Sequence, residues 1–122
     1  MTITLNHTIV WARDKEGAAR FFAEIFGLRF EGSGGHFAPV RVNDTLTLDF
    51  ADAKGIAGQH YAFHVSDTEF DAILQRVKDA GVTFGSGPRS LEDGKLNDWN
   101  GGRGFYYKDH DGHVIELMTV PQ

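Results

Sequence analysis

The sequence predicts an α+β protein built from two copies of one unit, a strand and a helix followed by a hairpin. The segments His7–Asp14 and His60–Asp67 share one spacing, in which a strand-like run headed by His reaches an Asp after six intervening residues. A helical pattern follows each Asp and stops at a glycine, Gly27 in the first copy and Gly81 in the second. Self-similarity at this scale indicates a repeated structural unit.

The end of each copy carries an acidic residue. A short strand-like run behind a turn contains Asp49 in the first copy and Glu116 in the second. Pseudo-symmetry between the copies would bring two imidazoles, of His7 and His60, together with two carboxylates. That donor set predicts a metal site.

Size and composition limit the function classes. A chain of 122 residues forms one compact domain or two half-domains too small to bury a core alone. The net charge of −5 and the lack of a Lys/Arg cluster argue against nucleic-acid binding. The chain has no Cys, so metal ligands must be N or O donors. Neither a signal-peptide pattern nor a membrane-length apolar run is present, and we expect a cytoplasmic protein.

The first copy shows its elements in order. Residues 3–13 alternate and are rich in Ile, Thr and Val, which predicts a strand. Asp14 stands at an N-cap position, as Asp67 does in the second copy, and Gly27 stands at the C′ position. Between them the apolar residues follow helical spacing, at Ala18, Phe21, Phe22, Ile25 and Phe26.

The second copy repeats that spacing with Phe70, Ile73, Leu74 and Val77. The glycine-containing segment Ala51 to Gln59 is the candidate linker between the copies. A second break runs from Ser86 to Gly104, longer than an ordinary loop. A disordered insertion is one interpretation, but Trp99 favours a loop that closes over something apolar.

Strand alternation assigns faces to the histidines. His60, Ala62 and His64 share one face, while the apolar Tyr61, Phe63 and Val65 face the other way, towards the helices. His60 and His64 are therefore expected on the face away from the helix layer. A single strand His is usually structural, but His7 and His60 occupy matching repeat positions. His36, after Gly34 and Gly35, is a weaker candidate for the rim of a site.

Glu116 lies in an otherwise apolar strand, where a carboxylate is costly to bury without a partner or a metal. A salt bridge to Arg103 or Lys108 is the alternative explanation. If His110, Asp111 and Gly112 form a three-residue hairpin loop, Asp109 pairs with His113 and Tyr106 lies opposite Glu116. A two- or four-residue loop would place Tyr107 or Phe105 there instead.

These motifs resemble the vicinal oxygen chelate superfamily, which includes glyoxalase I, extradiol dioxygenases, and fosfomycin- and bleomycin-resistance proteins. The resemblance covers essentially the whole chain. Its most specific part is the segment 104–117, which is similar to the Tyr-Phe-x-Asp-Pro-Asp-Gly-x-x-x-Glu-Leu signature, with His110 in place of Pro. Further matches are His7 and Thr8, the helix end at Phe26, Gly27 and Leu28, and the His60 strand.

The resemblance implies a fold of two βαβββ modules that form an open, cup-shaped mixed β-sheet with the helices outside. We expect one such domain over residues 1–122, with module 1 at about 1–52 and module 2 at about 58–122. Helices are expected near 15–26 and 68–80, with about eight strands. The resemblance also points to a homodimer, often with modules exchanged between chains.

The resemblance further implies metal ligands at His7, His60 and Glu116, and a pocket tyrosine at Tyr106. Asp49 matches the position of a fourth ligand in glyoxalase I, where a Glu stands, so four-ligand coordination depends on a shorter side chain. Two imidazoles and one carboxylate suit Fe²⁺ or Mn²⁺ with open positions for substrate, with Zn²⁺ or Ni²⁺ as alternatives. Tyr106 is a candidate catalytic proton donor, and His64 is a candidate base behind the metal ligands or a contact at the rim of the site.

Three functions remain open. The first is a dioxygenase-like metal enzyme acting on a small substrate that chelates the metal through adjacent oxygens. The second is a glyoxalase-like isomerase or lyase with Asp49 as fourth ligand. The third is a bleomycin-resistance-like binding protein without catalysis, which the presence of the His/His/Glu set disfavours.

Overall fold

The computed structural model describes residues 2–122, which form two compact units. The first ends at Ile56 and the second comprises Ala57–Gln122. Each unit has its own mixed sheet with one α-helix between its strands in the chain. Two α-helices and two mixed sheets confirm the α+β class predicted from the repeat. Within the described range, no helix is long and apolar enough to span a membrane.

The first unit contains three strands and one helix. The elements are β1 (His7–Ala12), α1 (Lys15–Phe26), β2 (Ala38–Arg41) and β3 (Thr47–Asp52). Strand β3 lies in the centre, parallel to β1 and antiparallel to β2. The first and last strands of the unit are therefore neighbours.

The second unit has one more strand. Its elements are β4 (His60–His64), α2 (Asp67–Asp79), β5 (Phe84–Gly85), a short 3₁₀ turn (Trp99–Gly101), β6 (Gly104–Lys108) and β7 (Val114–Met118). The sheet order is β4-β7-β6-β5, with β4 parallel to β7 and the other pairs antiparallel. This unit has the βαβββ order.

The described residues form seven strands where about eight were expected, because the first unit lacks one. Between α1 and β2 the chain makes only an isolated bridge between Gly34 and Phe37. Two glycines of this segment, Gly32 and Gly35, have positive φ angles of 101° and 62°. Such backbone conformations interrupt a strand.

Helix α1 begins and ends as predicted. The Asp14 side chain accepts a hydrogen bond from the Gly17 amide, and Gly27 ends the helix with a φ angle of 70°. The helix packs on its own sheet through Phe22, whose ring centroid lies 5.9 Å from that of Phe50. The sheet face that carries Phe50 is therefore the helix side.

Helix α2 begins one residue earlier than expected, and its cap is not the repeated Asp. Ser66 is the N-cap, and it forms a capping box with Glu69, so Asp67 lies in the first turn. The helix packs on its sheet through Phe70, whose ring meets Phe105 edge to face at 5.3 Å. The helical part of the repeat is thus confirmed, while the expected cap residue is wrong in the second copy.

We predict that Ser66→Ala lowers the free energy of unfolding by about 1 kcal/mol. Hydrogen bonds from the Ser66 amide and hydroxyl lower the pKa of Glu69, and the substitution removes only the bond from the hydroxyl, whose contribution is complete above the unfolded-state pKa of a Glu. It is lost as the pH falls through the lower folded-state pKa. Urea unfolding at neutral and acidic pH, with Thr68→Ala as control, measures this. A stability difference that does not shrink in acid would contradict it.

Candidate active site

The second unit gathers polar side chains on the sheet face away from α2. Glu116 is central, because β7 lies between β4 and β6. Its register partners are Ala62 on β4 and Tyr106 on β6, and His60 lies two residues before Ala62 on the same face. Parallel and antiparallel pairing together therefore place an imidazole, a carboxylate and a phenol side by side.

His60 and Glu116 are in direct contact. The His60 Nε2 atom lies 2.9 Å from the Glu116 Oε1 atom. The imidazole side chain is 48% exposed, whereas the carboxylate side chain is only 12% exposed. A carboxylate at this depth is held by partners on its own sheet. The alternative explanation for Glu116 fails for Arg103, which pairs with Asp67 and Asp71.

Tyr106 completes this cluster. Its ring centroid lies 5.7 Å from that of His60, and the residue is buried. Burial, together with a hydrogen bond to the Glu116 carboxylate, raises the pKa of Tyr106 above its ordinary value. The phenol is therefore protonated at neutral pH and donates to Glu116.

The hairpin between β6 and β7 has the predicted three-residue loop. The Asp109 amide donates to the His113 carbonyl oxygen at 2.9 Å, and Gly112 adopts a φ angle of 84°. The register Tyr106–Glu116 follows, and it is confirmed. Tyr107 belongs to the opposite face, where it is almost fully buried.

The long segment 86–104 folds over the Tyr106 side of the sheet. The Trp99 ring meets Tyr106 edge to face at 5.9 Å and remains 48% exposed. Asn97 organises this segment: its side chain donates to the Ser86 carbonyl oxygen at 2.9 Å and accepts from the Trp99 amide at 3.2 Å. The interpretation as a covering loop is confirmed, and Asn97 is a residue that the sequence analysis missed.

The loop can lie beside Tyr106 because its backbone at Ser90 approaches the backbone of β5 closely at Gly85. Gly85 pairs with Tyr106 across β5 and β6, and a Cβ atom at Gly85 would overlap the Ser90 carbonyl oxygen. Glycine is therefore required there. The sequence of residues 97–101 indicates a turn. It does not indicate that Asn97, rather than Asn100, forms the hydrogen bonds that stabilise the turn.

The first unit places His7 and Asp49 in the same relation as His60 and Glu116. His7 pairs with Thr47, two residues before Asp49, just as His60 pairs with Val114, two residues before Glu116. Both His7 and Asp49 lie on the face away from α1, since Phe50 and Val10 face the helix. The predicted repeat thus extends to the pairing register.

The His7 side chain is exposed to solvent. Its Nδ1 atom lies 2.8 Å from the Asn6 side-chain oxygen, and the residue is exposed. In neither unit do three or more His, Asp or Glu side chains of the described residues gather into a metal-binding group. Each unit therefore places one of the two repeated histidines and one carboxylate on the same sheet face.

The remaining candidate histidines have separate positions. His64 is on the His60 face, and its Nε2 atom lies 3.1 Å from the Thr119 carbonyl oxygen, so that nitrogen donates a hydrogen bond. His36 is exposed and borders a cavity of the first unit together with Trp11. A buried His that the sequence analysis did not consider as a site residue, His113, accepts a hydrogen bond from the Gln59 amide at 3.0 Å.

Comparison with known proteins gives relatives along the whole chain. A glutathione transferase named FosA from Serratia marcescens is 28% identical over 124 residues, covering 96% of this chain and 81% of that protein. The solved structure of oxidase ChaP-H2 is 45% identical, with a TM-score of 0.93, covering 99% of this chain and 96% of the other. Oxidase ChaP-H1 is 42% identical, with a TM-score of 0.92 and 98% coverage of both chains.

These relatives carry the names of enzymes, which supports the expectation that this chain is an enzyme. The family model described as Glyoxalase/Bleomycin resistance protein/Dioxygenase superfamily matches residues 4–117. The resemblance found in the sequence motifs is thereby confirmed. This chain belongs to the glyoxalase/bleomycin resistance protein/dioxygenase superfamily.

Proposed function

We propose that this protein is a metal-dependent enzyme of the oxidase or dioxygenase type. Its substrate is a small molecule that chelates the metal through two adjacent oxygens. The observation that carries the proposal is the cluster of His60, Glu116 and Tyr106 on the helix-free face of the second unit. The likeness to two proteins named oxidases, at 45% and 42% identity, supports the same reaction class.

The donor atoms fit a divalent metal. Two ligands bound at right angles, each about 2.1 Å from the ion, lie about 3 Å apart. His60 Nε2 and Glu116 Oε1 lie 2.9 Å apart in a hydrogen bond, which a bound ion would replace without moving the two atoms far. We propose that His60, Glu116 and His7 hold the ion, with His7 supplied by the same chain or by a second copy.

The proposed ion is Fe²⁺ or Mn²⁺, since two imidazoles and one carboxylate leave positions open for a substrate. Zn²⁺ and Ni²⁺ share the same nitrogen and oxygen donors. When bound, the metal would act as a Lewis acid that lowers the pKa of a chelating hydroxyl. The absence of Cys from the chain fits a site of N and O donors alone.

Tyr106 supplies the proton chemistry in this proposal. Its hydroxyl holds one proton at neutral pH and donates it to Glu116, and a substrate oxyanion bound beside Glu116 would take over that hydrogen bond. The Trp99 ring packs edge to face against Tyr106, which is itself buried. Before substrate binds, Glu116 orients the phenol by accepting this hydrogen bond.

A glyoxalase-like isomerase or lyase is the second candidate function. The register equivalence of Asp49 and Glu116 favours it, because a fourth ligand at Asp49 would complete a symmetric donor set. The shorter Asp side chain weighs against this candidate. An isomerase or lyase consumes no dioxygen, which separates the two functions.

The test of the proposed function is metal-dependent oxygen uptake. Protein stripped with chelator and reloaded with Fe²⁺ or Mn²⁺ under anaerobic conditions is assayed with a panel of catechols and α-hydroxy ketones. We expect substrate-dependent oxygen uptake with one of these metals. Product formation without oxygen uptake would favour the lyase, and an inactive, metal-free protein would contradict both.

We predict that His7→Ala, His60→Ala and Glu116→Ala each lose most of the bound metal while the fold is retained. Metal should raise the melting temperature of the wild type but not of these variants, because only a ligand of the native state stabilises it. Elemental analysis and thermal unfolding measure both effects. His64→Ala is the matched control and should keep its metal. If His60→Ala binds metal as tightly as the wild type, the proposed ligand set is wrong.

We predict that Tyr106→Phe keeps the metal and loses turnover by about a hundredfold, the usual cost of removing one preorganised donor. Steady-state kinetics and metal analysis of the same sample make the measurement. Tyr107→Phe is the control, since that hydroxyl belongs to the helix face of the sheet. Equal losses in both variants would assign the effect to packing rather than to the hydroxyl.

We propose a homodimer as the working form. Strands β1 and β4 are end strands of their sheets, and a second copy would cover such edges. Light scattering at micromolar concentration should give twice the chain mass of 13.5 kDa. A monomer mass throughout that range would rule the dimer out.

A further inference from the structure

His113 is a polar residue that the core of the second unit buries completely. Apart from tyrosines, it is the single polar or charged side chain that is buried within residues 2–122, and its exposed fraction is 0%. We propose that His113 is a positioning residue, which fixes the backbone of β4 at the point from which His60 projects. His60 is a metal ligand only under the proposed function, on which that part of the inference rests, but the positioning itself is tested without metal.

The buried imidazole accepts a hydrogen bond from the backbone. The Gln59 amide donates to the His113 Nδ1 atom at 3.0 Å. An imidazole nitrogen that accepts a hydrogen bond carries no proton, so the ring is neutral and its proton is on Nε2. Inside the protein, loss of this contact would leave both the amide and the nitrogen without a partner, which costs free energy. The contact therefore holds the Gln59 backbone at a fixed distance from the start of β7.

Gln59 comes directly before His60, and both polar groups of its backbone are paired. Its carbonyl oxygen accepts from the Val114 amide at 2.8 Å, while its own amide donates to the buried imidazole. The preceding residue, Gly58, lies so close to the hairpin that a Cβ atom there would overlap the Gly112 carbonyl oxygen. The chain that enters β4 is therefore held against the hairpin between β6 and β7, and the imidazole is the side chain that holds it.

His113 also contacts the residue that follows His60. The rings of His113 and Tyr61 meet edge to face, with their centroids 5.8 Å apart. Tyr61 pairs with the buried Ile115, and His60, its neighbour in the strand, points to the opposite face of the sheet. His113 thus acts on His60 from the other side of the sheet, through the residues before and after it.

His60 needs this support because its own surroundings restrain it weakly. It is the first residue of β4, which is an end strand of its sheet. Its side chain is 48% exposed, whereas that of Glu116, in the interior strand β7, is 12% exposed. Strand ends open more easily than strand centres, and a metal ligand has to stay within about 0.5 Å of its working position. The backbone at Gln59 therefore determines where the His60 Nε2 atom lies relative to Glu116.

The hairpin keeps His113 itself in place. One oxygen of the Asp109 carboxylate accepts from the amides of Asp111 and His113, each at 2.9 Å. The Asp109 amide in turn donates to the His113 carbonyl oxygen. Because both backbone groups of His113 are bound, its ring transmits the position of the hairpin to β4.

Three variants separate the acceptor atom from the shape of the side chain. In His113→Asn the side-chain oxygen takes the place of Nδ1 and can accept from the Gln59 amide. The side chain of His113→Leu has nearly the same shape as that of His113→Asn but has no acceptor. His113→Gln carries its polar group one bond further from the backbone, and it serves as a second test if the leucine variant does not fold.

The first measurement is NMR of the histidine ring nitrogens in chelator-treated protein, so that metal does not contribute. His60→Ala assigns the His60 ring. We expect the wild type and His113→Asn to give one His60 signal, with the nitrogen shift of an Nε2 atom that is hydrogen-bonded to a carboxylate. His113→Leu and His113→Gln should shift this signal to that of a ring in water, or split it into two.

The second measurement is the affinity for Mn²⁺, by calorimetry on the same proteins. We expect His113→Leu and His113→Gln to bind Mn²⁺ about ten- to a hundredfold more weakly, the usual effect of removing a group that orients a metal ligand. His113→Asn should stay within about threefold of the wild type, because it keeps the acceptor that orients the ligand. Ile73→Val, which removes a buried methyl group from α2, is the control for a general loss of stability and should bind Mn²⁺ like the wild type.

The positioning role is overturned if His113→Leu or His113→Gln folds and keeps the wild-type His60 signal, or if His113→Asn does not restore it. It is also overturned if neither of the first two variants folds, since the role of His113 is then one of stability. Failure of the proposed function is distinct. A wild type that binds no Mn²⁺, Fe²⁺, Zn²⁺ or Ni²⁺ refutes the metal enzyme, and the NMR comparison alone then decides the positioning. Metal-dependent oxygen uptake, with an unchanged His60 signal in the variants, would sustain the enzyme and refute the positioning.

Discussion

The parallel pairing of the first and last strands in each unit is the constraint on which the rest of the structure depends. It fixes His7 two residues out of register with Asp49, and His60 two residues out of register with Glu116. Because side chains alternate along a strand, an offset of two keeps both groups on one face, whereas an offset of one would bury one of them under the helix. The crossover helix enforces this pairing by covering the opposite face.

A second constraint acts only in the second unit, through the hairpin between β6 and β7. The left-handed Gly112 allows a three-residue loop, and the loop length decides that Tyr106, not Tyr107, joins Glu116. The rest of the unit is consistent with that choice. Gly85 leaves room for the loop backbone beside Tyr106. Asn97 accepts a hydrogen bond from the Trp99 amide, and the Trp99 ring packs against the ring of Tyr106.

The sequence predicted what local rules determine. The spacing of apolar residues and the glycine at Gly27 predicted the bounds of α1. The length of the hairpin loop predicted that Tyr106 lies opposite Glu116. The repeat favours Asp67 as the N-cap of α2, whereas the N-cap is Ser66. Ser66 and Glu69 have the spacing of a capping box, so the sequence does contain a signal for the correct cap. The missing strand of the first unit depends on backbone conformations of several glycines, which spacing does not reveal. The role of Asn97 depends on contacts between residues far apart in the loop.

The two units have diverged around one shared register. In the second unit the carboxylate is nearly buried, paired with His60 and beside a phenol that a Trp covers. In the first unit the corresponding Asp49 is only half-buried and lies beside Ile9 of the neighbouring strand. A buried, hydrogen-bonded carboxylate suits the control of charge and protons. One shared register thus carries two environments, a carboxylate that is buried and paired in the second unit and one that is half-buried in the first.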